Sequence, residues 1–428
     1  MIAVLATEVR RSPLRWWAPI LVAGILAVTL GSGSWWAGIW PAASAQAEQV
    51  VLFLGPLMMA GAAYAATRSS EPTARAWIDS STRTAWRSES IQLASTVCIA
   101  LAIYFTGVIT VIAASEGQSS SGHFWLGYGL LGALTLTANI AAGHLIGRVT
   151  SSQVVAPIAA GVIGLIIMMA IASRFGLLVT ANLAYSWYGV SGMALLVRAF
   201  LATSLMVAAV TVPTRVNRGA RWPLPSAQRA FSVVAAVGVV AAAVLLPATP
   251  VLAQRQPPNR PLCTATNSRI CLWPDELKYL PDFSRMGRRL AALRHSTLDI
   301  PSTFYERGLN RVADRAGKSF YSPVGAGGFY LTAVEMAAIV EEGSLNGRLC
   351  PARDPAEQAK ILNASEFLQV WLSAQIAGGG QPPSVHGGYT VASSGQIEHM
   401  LSWPVQRRRA FTQHLISIVK YSSCTQQR

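Results

Sequence analysis

The stretch AFSVVAAVGVVAAAVLLPATPVLA, residues 230–253, decides what kind of fold this chain adopts. It has no charged residue, and a helix of that length, rising about 1.5 Å per residue, crosses a hydrocarbon core of about 30 Å. QRQPPNRPLC follows it directly, with an abrupt change of texture. The 229 residues ahead of it contain no lysine and little charge outside short segments, whereas residues 254–428 carry 20 Lys/Arg and 13 Asp/Glu. One part of the chain is written for lipid and the other for water.

Whole-chain composition agrees. Of 428 residues, 52% are hydrophobic and 12% charged, with a mean hydropathy of +0.39. These figures exclude an average soluble domain and favour a polytopic membrane protein. The formal charge of +15 does not indicate a nucleic-acid partner, because the 14 basic residues before residue 254 are all arginines in loops or at helix ends. There they set orientation.

Working back from 230–253, apolar runs recur at about 18–40, 49–66, 92–114, 124–147, 154–173 and 190–212, for seven predicted spans. Trp16, Trp17, Trp35, Trp36 and Trp40 read as interfacial belts around the first, which lacks the cleavage pattern of a removable signal peptide. Arginines cluster at the N-terminus, in 67–91 (Arg68, Arg75, Arg83, Arg87), at Arg148 and in 213–229, while PAASAQAE and SEGQSSSGH have neither Lys nor Arg. This bias predicts a cytoplasmic N-terminus, and an odd number of spans then places Gln254 onward outside the plasma membrane. Only Arg174 and Arg198 run against it.

The cysteines test that topology separately. Cys98 falls inside the third span as ordinary core material, whereas Cys263, Cys271, Cys350 and Cys424 all lie beyond the seventh. An even number in an oxidising compartment predicts disulfides. Of the three pairings we favour Cys263–Cys271 with Cys350–Cys424 over a zinc site, since the C-x₂₋₄-C spacing is missing.

The predicted outer domain reads as mainly helical. Phe283, Met286, Leu290 and Leu293 mark one amphipathic helix. Thr332 to Glu335 has the form of a capping box. Asp354-Pro355 opens a helix carrying Ile361, Leu362, Leu368 and Trp371 that ends at Gly378, and residues 404–422 form the last, with Phe411, Leu415 and Ile418 on one face. No catalytic or metal-binding spacing connects His295, His386, His399 and His414. Ala316-Gly317-Lys318-Ser319 imitates a phosphate loop but has Val312 where the first glycine belongs. The chain therefore reads as a non-enzyme without cofactor or metal. Arg407-Arg408-Arg409 reads as an exposed charged face.

In the membrane half, Asn139 and His144 are the polar residues within spans that draw attention, and no Asp or Glu falls inside the predicted boundaries. That argues against a proton-coupled antiporter. The cytoplasmic loop after span two can form an amphipathic helix with Trp77, Ile78, Arg83 and Trp86, suited to lying on membrane lipid or docking in a partner's groove.

The opening EVRRSPLRWW, the WW-GIWP end of span one, this helical loop, and a segment at 176–197 that reads as helical or re-entrant resemble an ABC-2-type exporter permease. The likeness is closest to an actinobacterial group with an added outer domain. It covers about residues 1–212 and implies a six-helix half-transporter, a homodimer or a heterodimer with another permease, and a separate ATPase subunit docked on the loop after span two. Residues 213–253 would then be a cytoplasmic loop and seventh span, and 254–428 a small disulfide-bearing helical domain outside. The expected fold is an all-α polytopic membrane protein with seven transmembrane helices and that domain. The expected function is the permease of an ABC exporter, the alternative being a membrane-anchored extracytoplasmic binding, sensor or scaffold protein. Ala248 to Ala253 also mimics a signal-peptidase site, although the proline-rich QRQPPNRP favours a stiff tether.

Overall fold

The computed structural model describes residues 2–31, 36–68, 85–118, 122–150, 152–171, 185–212, 226–294, 298–321, 328–344, 355–378, 399–400 and 402–421. They form two compact units. The first holds Met1–Ser119, His123–Ala184 and Tyr188–Ala253, and the second Gln254–Arg428 with the short pieces Ser120–Gly122 and Tyr185–Trp187.

The first unit is a helical bundle with the architecture of a multi-pass membrane protein. Helices α1 (Ile2–Arg11), α2 (Leu14–Gly31), α3 (Trp40–Gln49), α4 (Val51–Arg68), α5 (Ala85–Glu116), α6 (Leu126–Thr150), α7 (Val155–Ile166), α8 (Gly192–Thr211) and α9 (Ser226–Leu245) follow in order. Six are long and apolar enough to cross a membrane, counting α3 and α4 as one continuous Trp40–Arg68 span. The predicted fifth span is the shorter apolar helix Val155–Met169, which winds into a π turn at Ile167–Ile171. Exposed Ile158, Val162, Leu165, Leu196, Phe200, Val233 and Val237 give the bundle an apolar exterior, which suits lipid rather than water.

Several boundaries differ from expectation for definite reasons. PAASAQAE reads as a loop by hydropathy, yet its alanines are strong helix formers and Pro41 starts the helix. Trp36 and Trp40 are buried there, whereas Trp16 and Trp17 are exposed, and Trp35 lies outside the described residues. Cys98 is exposed on α5 rather than in a core. The decisive stretch 230–253 is helical only to Leu245, because Pro247 cannot continue the ladder, and Leu252–Gln254 (β2) extends to pair with Tyr188–Val190 (β1). That strand and the start of α8 occupy the described part of the expected re-entrant segment.

Close packing organises the bundle around α4, which lies chiefly against α6 and α7. Gly143 and Gly147 on α6 make this possible: a Cβ at the first would stand 2.1 Å from the carbonyl oxygen of Met59, and at the second 2.3 Å from that of Ala63. This small-xxx-small seam brings two helix backbones together.

The second unit contains a sheet that the sequence reading missed. Strands Leu262–Cys263 (β3), Arg269–Leu272 (β4), Thr303–Glu306 (β5) and Ser319–Phe320 (β6) lie in that order, β3–β4 antiparallel and the other pairs parallel. The runs are too short to show an alternating pattern. The parallel pairs require crossovers, supplied by α10 (Leu280–Leu293) and then α11 (Arg311–Arg315). Cys263 and Cys271 face each other across β3–β4 and form a disulfide, which removes them from any zinc site. Cys350 and Cys424 lie outside the described residues.

Phe283, Met286 and Leu290 of α10 are buried, with Phe283 packed 5.7 Å from Phe320. Helices α12 (Gly328–Ser344), α13 (Pro355–Ala377) and α14 (Val405–Tyr421) bury Met336, Val340, Ile361, Leu368, Trp371 and Leu415. Leu362, along the same helix, is exposed.

Candidate functional site

Groups of buried polar residues stand out in both units. In the membrane unit the helices run past the hydrophobic stretches that define them in sequence, and they carry two glutamates inside. Glu89 is near the start of α5, and its Oε2 is 3.0 Å from Nε2 of His144 on α6 and 3.9 Å from Nε of Arg148. Arg148 Nη1 donates to the carbonyl of Ala209 on α8 at 2.5 Å, so one cluster ties three helices. Nearby, Gln92 donates to the carbonyl of Ala65 on α4.

A second cluster involves Glu48, Arg198 and Tyr104. Glu48 is fully buried on α3 and is electrostatically coupled to Arg198 on α8 and Tyr104 on α5. Arg198, only 2% exposed, donates from Nη1 to Ala194 O at 2.9 Å, and the Tyr104 hydroxyl donates to Gly129 O at 3.2 Å. Arg198 thus lies in the interior of the bundle. The expectation that no carboxylate enters a span is overturned by Glu48 and Glu89, and the argument against proton coupling falls with it. The signal available in sequence was helix propensity running on through PAASAQAEQ and RSESIQ.

Asn139 and His144 are both buried on α6 but are not joined. Asn139 Nδ2 donates to Thr135 O of its own helix at 2.8 Å, and its amide sits beside Gly55 of α4. Of the expected docking residues, Trp77, Ile78 and Arg83 lie outside the described residues. Trp86 is exposed, in the first turn of the helix that becomes the third span, with the Arg87 guanidinium 5.5 Å from its ring centre.

In the second unit, Tyr185–Trp187 meets residues far along the chain, from Arg255 to Tyr321. The Ser186 hydroxyl donates to Glu276 Oε1 at 2.7 Å, while Arg255 Nη1 donates to Ser186 O at 2.6 Å and Asp275 Oδ2 at 2.9 Å. Glu276 and Glu306, both buried, share a side-chain hydrogen bond, and Trp273 N donates to Glu306 Oε2 at 2.9 Å. Burial and then the neighbouring Glu276 hold the Glu306 carboxyl well above the usual range. Gly308, at φ +85°, gives Trp187 room, since a Cβ there would stand 2.6 Å from that of Trp187.

Trp187 stacks on Tyr185 at 4.3 Å and tilts against Tyr321 at 5.2 Å, with Arg307 4.8 Å from the Tyr321 ring centre. Thr332 and Glu335 do not cap their own helix, which starts earlier at Gly328. They clamp Tyr321 instead: Thr332 Oγ1 donates to its carbonyl at 3.0 Å, and Glu335 Oε2 accepts from its N–H. Burial pushes Glu335 up to about 8 against the pull of Arg307, and burial followed by Glu335 raises the Tyr185 phenol. Glu335 is thus a group that exchanges a proton near neutral pH.

That shift makes a prediction. An unfolded glutamate titrates near about 4.3, whereas the folded carboxyl keeps its proton to about 8. The folded state therefore holds more protons across that window, and this stabilisation is lost as pH rises through it. The unfolding midpoint of the full chain should fall from acid to mildly alkaline pH, and Glu335→Gln should flatten the fall. An unchanged slope would move the titration to Glu306, whose carboxyl is shifted in the same direction.

No family model, no curated protein and no solved structure matches this chain.

Proposed function

We propose that the chain is the permease subunit of an ABC-type exporter in the plasma membrane, energised by a separate ATPase. The observation that carries this reading is the pair of charge clusters buried in an apolar-surfaced bundle, Glu48 with Arg198 and Glu89 with His144 and Arg148. An ionised side chain costs about 2.5–3.5 kcal/mol at the centre of a span on insertion scales and less toward its ends, where Glu89 and Arg148 lie. A plain anchor has no use for that cost, whereas a path or a moving helix interface does. The sequence contains no complete phosphate-loop motif, so the work comes from another subunit.

In this reading the N-terminus is cytoplasmic, the second unit lies outside, and the loop after span two receives the ATPase, with Trp86 at its edge. Replacing Trp86 with Asp should abolish co-purification of the ATPase in mild detergent while membrane insertion is unchanged. Association at the wild-type level would remove the docking role.

A second reading, a membrane-anchored binding or sensor protein, is favoured by the aromatic and ionisable group of Tyr185, Trp187, Tyr321, Arg307 and Glu335. Purification from native membranes with no ATPase present would turn the balance toward it.

A further inference from the structure

The second unit has a cavity of about 230 Å³ between α10, α13 and α14, lined by both charged and apolar side chains. Arg289, Arg408 and Arg409 line it with Gln375, and Leu293, Leu298 and Trp371 supply its apolar lining. Among the described residues, no carboxylate lines it. Guanidiniums gathered around one small space repel each other unless an anion joins them.

The donors show where such an anion would sit. Arg289 Nη1 is used on the carbonyls of Ile376 and Ala377, at 3.2 and 2.5 Å, capping the end of α13. Arg408 Nη1 donates to Gln375 Oε1 at 3.2 Å. Its Nε, however, is buried with no acceptor among the described residues, and so is Nε2 of Gln375. Leaving a buried donor without an acceptor is unfavourable, the more so for a charged one. Thr412 is already committed, accepting from Trp371 Nε1 at 3.1 Å and donating to Arg408 O at 2.9 Å. The arginine run is therefore divided: Arg407 stacks 4.2 Å over Trp403, while Arg408 and Arg409 turn to the cavity.

We propose that this cavity binds a small organic oxyanion, a phosphate or carboxylate attached to a compact apolar group. The arginines and the Gln375 amide take the anionic end, and Leu293, Leu298 and Trp371 take the apolar one. The volume is below the roughly 300–1,000 Å³ of pockets for drug-sized ligands, which limits the occupant to a small molecule or the headgroup of a larger one. The site is independent of the transport reading.

The test is ligand-dependent thermal unfolding of the full chain in a non-ionic detergent, titrated with phenyl phosphate, benzoate, inorganic phosphate and phenol. Saturable stabilisation by phenyl phosphate or benzoate, weaker with inorganic phosphate and missing with phenol, is the expected result. Arg408→Gln should weaken binding about tenfold or more, as expected for a hydrogen bond to a charged group. Arg409, being exposed, can be changed without disturbing the core. Arg409→Gln should also weaken binding, so it carries the test if Arg408→Gln does not fold. Arg315→Gln, away from the cavity, should bind as wild type. A short-chain phosphatidic acid that outcompetes phenyl phosphate would identify a lipid headgroup as the source of the same chemistry. Equal binding of phenol, wild-type affinity in both cavity variants, or no saturable binding of any oxyanion would overturn the proposal.

Discussion

Gly143→Leu is expected to leave the membrane unit unable to assemble. The Cβ alone would stand 2.1 Å from the Met59 carbonyl oxygen, and backbone, unlike a flexible side chain, has no rotamer through which to yield. Overpacking a core typically costs about 1–3 kcal/mol. Here the intrusion meets a helix backbone and forces α4 and α6 apart along their whole seam, so the effect should exceed that range. Gly24→Leu is the control, since nothing lies within 4 Å of a Cβ there. By size-exclusion in detergent, the Gly143 variant should elute as aggregate and the Gly24 variant as the monodisperse species. Equal profiles would mean that the two helices do not meet at Gly143.

The second large effect is expected at Glu48 and Arg198. Removing one member of a buried charge pair strands the other, at about 3–5 kcal/mol, whereas replacing both with apolar residues is often close to neutral. Glu48→Leu and Arg198→Leu should each lower stability severely, and the double variant should recover most of the loss. The cycle is read by unfolding in mixed detergent. A double variant no better than the worse single would separate the two residues energetically. If the pair lies on a transport path, the recovered double variant should be stable yet inactive.

Hydropathy located the described spans to within several residues, because lipid-facing helices must be apolar over a fixed length. It was blind to Glu48 and Glu89. Hydropathy reports what lipid tolerates, and both carboxylates are hidden from lipid by neighbouring helices. The glycines that allow this closeness were visible as Gly143-x-x-x-Gly147, but spacing alone does not name the facing helix. In the second unit, the periodic faces of α10, α13 and α14 were legible in Phe283, Met286 and Leu290, in Leu368 and Trp371, and in Leu415. The sheet was not, because strands of two to four residues carry no period. Thr332 and Glu335 had the right spacing for a cap but were used on a distant backbone, a choice made by tertiary structure.

The placement of Tyr185–Trp187 has a consequence for how the second unit comes into being. Its chain is discontinuous: three residues synthesised well before Gln254 close a notch at Gly308 and bond to Glu276. A soluble fragment beginning at Gln254 would lack its own plug and leave Glu276 without the Ser186 hydroxyl that donates to it. Cleavage after Ala253 would likewise leave the plug on the other product, and it would cut a strand already paired with Tyr188–Val190. The unit is thus completed only when two separate parts of the nascent chain meet, which makes its folding a checkpoint on the insertion of the helices between them.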